Sequence, residues 1–303
     1  MKDHDFRQLD KRIRALRATR ERDPSGTWAL SDFLSALVPQ AKQGSDSDWE
    51  RRFALLAAWR GEQPESVAAH VVEAAAWRQY AWRARGNTYA REVQDSAWPI
   101  FRERLAKARA ALDAVGDDGR RCPDWYEESL WMAINEAWPK ERFDRLFEEA
   151  VAQEPTFFGH YFARAYYLHP RWYGSAEALD AFATQAAERT RATEGESLYA
   201  RIYWSLYGNS GMASRPIFTH GGANWARMHK GFQDLVARYP SAWNRQAFAM
   251  YACGARDVES TRTLLASIAE PIDGLWRPGL FEQCRDWIRG GNEPTADIPK
   301  SYR

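Results

Sequence analysis

No stretch of this sequence approaches the roughly 20 consecutive apolar residues that a membrane-spanning helix needs. The opening segment MKDHDFRQLDKRIRALRATR is charged throughout and lacks the apolar run of a secretory leader. The expected location is the cytoplasm, and no membrane partner is expected. An excess of charge of one sign is also missing. Lys and Arg number 42 against 41 Asp and Glu in 303 residues, a formal net charge of +1. No global field steers such a chain toward nucleic acid, so a nucleic-acid partner is disfavoured, although short segments such as WRARG leave room for a local basic patch. Cysteine is scarce: Cys122, Cys253 and Cys284 stand far apart with no paired metal-binding spacing, and read as incidental thiols.

Signature motifs are missing as well. There is no glycine-rich phosphate loop, no GxSxG elbow and no HExxH segment. Neither His160 with His169 nor His220 with His229 has the one-turn spacing that aims two rings at one ion. No cofactor and no metal are expected. What the chain has in quantity is aromatic residues, 14% of the total, with 15 tryptophans. Such side chains fill wide gaps between helices, so most should be core.

The hydrophobic spacing is helical from the start. Phe6, Leu9, Ile13 and Leu16 mark one face of an opening helix that ends at Asp23-Pro24-Ser25-Gly26, and Trp28, Phe33, Leu34 and Leu37 mark a second that stops near Pro39. Ser47 and Glu50 have capping-box spacing ahead of Phe53, Leu56 and Ala57. An alanine-rich helix runs from Pro64 to Arg85 and ends at Gly86-Asn87. Alanine lets a neighbouring backbone come close, so this helix should sit centrally in the N-terminal half. Trp98-Pro99 begins the next, which ends in the turn Gly116-Asp117-Asp118-Gly119. Nothing reads as a strand.

Beyond residue 119 the helices should come in antiparallel pairs. With Asp124 as the first position, Leu130, Ile134, Phe147, Ala150 and Pro155 fall close to the tetratricopeptide pattern, while Trp131 and Phe143 stand where smaller residues are usual. Residues 124 to 153 should form one hairpin broken at Pro139-Lys140. A second pair follows Tyr239-Pro240: Trp243, Ala247 and Tyr251 line one helix, a turn contains Gly254, and Leu264, Leu265 and Ile268 line its partner. Between the pairs, Phe158, Phe162 and Tyr166, then Leu179, Phe182 and Ala186, then Leu198 and Ile202, and finally Trp225, Phe232 and Leu235 suit further helices. The fold class is therefore all-α, a degenerate tetratricopeptide-like α-solenoid over residues 120 to 303 preceded by an N-terminal helical region over 1 to 119.

At WRARG (82–86), LHPRWYGS (168–175) and GESLYARIYWSL (195–206) the chain resembles a family of uncharacterised bacterial proteins with tetratricopeptide-like helices, known only as a domain of unknown function. The resemblance implies a helical-repeat fold and carries no chemistry.

The same stretches hold the candidate contact residues. Trp82, Arg83 and Arg85, and Arg171, Trp172 and Tyr173, combine a fixed fork of donors with rigid apolar surface, a mixture suited to peptide carboxylates or sugars. Arginine packed over an aromatic ring at a helix end explains them too, and is the favoured reading. Ser175 caps the helix that begins near Glu177, and Trp172 anchors the loop between Pro170 and Gly174. The paired acids Glu127-Glu128 and Glu148-Glu149 point apart on a helix and build no site alone. The expected function is non-catalytic binding of a protein or peptide. The alternative is a hydrolase or carbohydrate-binding protein with an aromatic and carboxylate-lined pocket, and a small ligand or carbohydrate as its partner.

Overall fold

A computed structural model describes residues 5–207 and 216–294. Among them the chain is all-α: no strand forms, and Arg22 and Trp28 make one isolated bridge. The helices are α1 (Phe6–Thr19), α2 (Ala29–Leu37), α3 (Asp46–Glu62), α4 (Val67–Arg85), α5 (Ala97–Asp113), α6 (Pro123–Asn135), α7 (Lys140–Gln153) and α8 (Phe158–Tyr167). They continue as α9 (Ala176–Glu194), α10 (Ser197–Tyr207), α11 (Pro216–Thr219), α12 (Trp225–Arg238), α13 (Ala242–Ala255), α14 (Val258–Leu265) and α15 (Leu280–Ile288). None is long and apolar enough to cross a membrane.

Local chemistry sets many of the helix starts. The side chains of Asp5, Ser66, Ser175, Asn224, Ser241 and Asp257 each accept the amide N–H three residues on, satisfying a donor that the helix leaves open. The capping box of α3 is formed by Ser45 and Asp48, two residues before the expected Ser47 and Glu50. Aspartate serves there because its carboxylate reaches back to the Ser45 amide at 2.7 Å. Helix α4 starts at Val67 because Ser66 is its cap. Pro64 lies outside it.

The chain packs as two compact units. Among the described residues, the first contains 5–23 and 27–163, the second 24–26, 164–207 and 216–294. The division expected at 119 falls inside the first, where α6 packs on both α4 and α5. In that unit Ile13, Leu16, Trp28, Leu30, Trp49, Leu56, Trp59, Ala69 and Val72 share one core. Helix α4 carries eight buried residues, most of them alanines, and lies closely against α5. Helices α6 and α7 form the expected pair, with the break at residues 136–139.

In the second unit the helices pack in series, α9 on α10, α10 on α12, α12 on α13, α13 on α14 and α14 on α15. Three local expectations after residue 155 differ. Gly254 lies inside α13, and the chain turns at Arg256, whose left-handed backbone lets its amide bond back to the Cys253 carbonyl. Ile268 lies beyond the end of α14. On α8, Tyr161 and Ala165 are fully buried while Phe162 and Tyr166 are half-buried, since a helix enclosed on several sides loses its one-sided periodicity.

Cys253 and Cys284 are not incidental thiols. They form a disulfide between α13 and α15 with a Cα–Cα distance of 6.0 Å. Cys122 is free and buried, and burial pushes its thiol up to about 11. The Cys253–Cys284 pair escaped notice because 31 residues separate them and only tertiary packing brings them together.

Candidate functional site

The C-terminal end of α4 forms one wall of a cleft of about 780 Å³ in the first unit. Ala41, Lys42 and Asp46 come from the α2–α3 connection and the start of α3, Gln79, Trp82 and Arg83 from α4, and Ile100 and Arg104 from α5. Gln79 holds the α2–α3 connection in place by accepting the Ala41 amide at 3.2 Å. Ile100 is 42% exposed, an apolar side chain left on the cleft rim.

Three cations face one carboxylate in this lining. Arg83 meets Asp46 at 3.3 Å, but Asp46 is 72% exposed, so water screens the pair and its hold is weak. Lys42 makes no ion pair among the described residues. Arg104 donates to the Tyr80 carbonyl at 2.6 Å and lies 3.3 Å over the Tyr80 ring, which fixes its guanidinium while using one of its donors. Trp82 is held just as firmly: its indole N–H donates to Asn135 at 2.7 Å and its ring meets the edge of Phe101. The result is a rigid indole and an exposed isoleucine beside a local excess of positive charge.

Arg85 has a different place. It stacks between Trp82 and Trp98, at 4.7 and 5.4 Å from their ring centres, and donates to the carbonyls of Gly86 and Thr88, closing the end of α4. Arg171, Trp172 and Tyr173 belong to the second unit, where they form a tight turn after α8. The Trp172 ring lies on Tyr166, and Tyr173, 45% exposed, stacks on Tyr167 at 4.8 Å. The Arg171 amide donates to His169 Nδ1 at 3.2 Å. Burial and the Arg171 charge lower that imidazole to about 4. Ser175 caps α9 as expected. Gly174 is required by closeness: a Cβ there would overlap the Leu168 carbonyl.

The GESLYARIYWSL stretch is structural. Tyr199 and Tyr203 are fully buried and both hydroxyls donate to Asp180, which with burial raises both phenols. The acids of α6 are divided in use. Asp124 takes a bidentate bond from Arg17 at 2.8 and 2.7 Å, and Glu128 one from Arg78 at 2.6 and 2.8 Å. Glu127 sits against Gly159, where burial and the neighbouring Glu128 and Asp124 push its carboxyl up to about 7. His229 Nε2 lies 3.1 Å from the Ser260 hydroxyl, which donates to the cap residue Asp257 at 2.8 Å and so takes part in capping α14. No group of three or more His, Cys, Asp or Glu able to hold a metal occurs among the described residues.

Lys42, Asp46, Gln79, Ile100 and Arg104 were not foreseen as cleft residues. Gln79 with Arg83 and Ile100 with Arg104 have four-residue spacing on their helices, but no local signal says that these faces border one cleft. The comparisons add no likeness: no family model, curated protein or solved structure matches the chain.

Proposed function

We propose that this protein is a non-catalytic recognition module for a protein or peptide, and that the cleft at the end of α4 receives an acidic segment of that partner. The observation that carries the reading is the lining itself, with Lys42, Arg83 and Arg104 against the exposed Asp46 beside Trp82 and Ile100. The serial helix packing of the second unit suits a degenerate tetratricopeptide-like α-solenoid, and the likeness at LHPRWYGS and GESLYARIYWSL supports membership of that helical-repeat family. Cytoplasmic residence, expected from the charged opening segment, has the Cys253–Cys284 disulfide against it, because reducing compartments keep such thiols reduced.

Fluorescence polarisation with matched acidic and basic hexapeptide pools tests the cleft. Acidic peptides should bind more tightly at low salt, and the double substitution Lys42→Glu and Arg83→Glu should abolish the preference without lowering the melting temperature. Equal binding of both pools, or an acidic preference that survives the double charge reversal, refutes the reading.

A further inference from the structure

Helix α15 is the last helix of the second unit among the described residues, and little besides one covalent bond holds it in place. It has nine residues, fewer than the roughly 12–15 that an isolated helix needs to persist in water. Three of them are buried, Leu280, Phe281 and Cys284. Phe281 meets Trp276 edge to face at 5.1 Å, and α14 is the main helical neighbour. Beyond the helix, Arg256 donates to Glu293 at 3.1 Å, but Glu293 is 56% exposed, so water screens this clasp. Ordering nine residues costs more than burying two apolar side chains returns, so the Cys253–Cys284 bond to α13 decides whether α15 stays docked.

The connection leading into α15 is anchored without the disulfide. Gln246, on α13, accepts the Ile272 amide at 2.9 Å and the Trp276 indole N–H at 2.8 Å, and donates to the Glu270 carbonyl at 2.9 Å. Leu275 and Trp276 are themselves buried. This anchoring ends at Trp276, and α15 starts at Leu280. Between them lies Gly279, left-handed at φ 76°, where a Cβ would meet only the end of the Gln283 side chain at 3.8 Å. The chain therefore has a free joint, with open space around it, between a fixed connection and a weakly held helix.

We propose that the Cys253–Cys284 disulfide is a redox latch: its reduction releases α15 as a strap that swings about Gly279, while the chain up to Trp276 stays folded. The reductant is a dithiol. One of its thiolates attacks a sulfur of the Cys253–Cys284 bond, forming a mixed disulfide and freeing the other cysteine as a thiolate, which takes a proton. The second thiolate of the reductant then breaks the mixed disulfide. Two electrons and two protons thus reach the protein, which holds two thiols, and the reductant leaves as a disulfide. Both cysteines are fully buried, so the attack waits on brief openings of α15 itself. The latch lies in the second unit and rests on nothing at the cleft beside α4, so neither reading needs the other.

Native alkylation of the full chain tests the latch, with Cys122 as internal reference because it is buried in the first unit. The protein is reduced with dithiothreitol, the dithiol is removed without air, and iodoacetamide is added with no denaturant. Peptide mass spectrometry follows each cysteine separately. Cys253 and Cys284 should react at least roughly tenfold faster than Cys122, which marks a local opening and not a global one. Trypsin should cut after Arg285, within α15, in the reduced protein and leave that bond intact in the oxidised one. Three cysteines reacting at one rate overturn the proposal, since the whole chain then unfolds. It falls equally if Cys253 and Cys284 stay as protected as Cys122 and the Arg285 bond stays intact, since α15 then remains docked without its disulfide.

Discussion

The turn after α8 shows how a residue's size and its importance separate. Trp172 looks like the anchor of its loop, but it is half-buried and lies on the half-buried ring of Tyr166. Gly174 is the more constrained position, since any Cβ meets the Leu168 carbonyl and backbone cannot step aside cheaply. Trp172→Ala should therefore cost about 1–2 kcal/mol, well under the roughly 3–5 kcal/mol typical of emptying a fully buried tryptophan site. Gly174→Ala should cost about 1–3 kcal/mol through overpacking. Urea denaturation of both variants checks the comparison, and a Trp172→Ala loss of full core size contradicts it. The tryptophan was legible in the sequence because size and a flanking proline mark it. The glycine's reason was not, since the oxygen it makes room for lies six residues back across a turn.

Helices were readable where their information is short-range. The α6–α7 pair follows from three- and four-residue spacing on both sides of Pro139, and the start of α9 follows from the Ser175 hydroxyl. Helix α15 is different, because a disulfide ties it to α13 across 31 residues. Arg256 reinforces the same join, resting over the Trp287 ring and donating to Glu293 at 3.1 Å. A loop of that length gives a chain-entropy stabilisation of about 3–4 kcal/mol. Reduction by a dithiol, or Cys253→Ser with Cys284→Ser, should lower stability by about that amount and speed hydrogen exchange in α15 before that in α6 or α7. Mass spectrometry after alkylation counts the thiols: one reactive cysteine before reduction and three after it is the expected result, read under denaturing conditions because all three are buried.

Across the molecule, the buried His160 and the half-buried His169 and Glu127 set an acid response that the near-zero net charge conceals. His160 Nε2 lies 2.8 Å from the Pro123 carbonyl and so carries the proton, which leaves a buried Nδ1 with no acceptor for a second one. His169 Nδ1 accepts the Arg171 amide, a bond that protonation breaks. Both imidazoles fall from 6.5 to about 4, chiefly through burial. Unfolding restores their basicity, so each contributes stability that is present above pH 6.5 and lost as pH falls toward 4. Glu127 runs the other way: its carboxyl rises from 4.5 to about 7, so its neutral form favours the fold below pH 4.5, and that contribution is lost as pH rises through 7. Between pH 4.5 and 6.5 the unfolded chain holds an extra proton on each of these two histidines and lacks one on Glu127, and burial lowers His70 in the same direction as the other imidazoles. The histidines outweigh the carboxyl, so stability rises with pH by at least about 1.4 kcal/mol per unit. Glu127→Gln keeps the shape and removes the opposing group, so its slope in that window should be steeper by about 1.4 kcal/mol per pH unit. At pH 8 the variant should be more stable than the parent by roughly 1–3 kcal/mol, and the gain should vanish near pH 4.5. Urea midpoints for both proteins at half-unit steps from pH 4.5 to 8 measure the two slopes. Parallel curves would show that Glu127 is ionised in the folded protein at neutral pH, with its charge held by Arg78 instead of suppressed by burial.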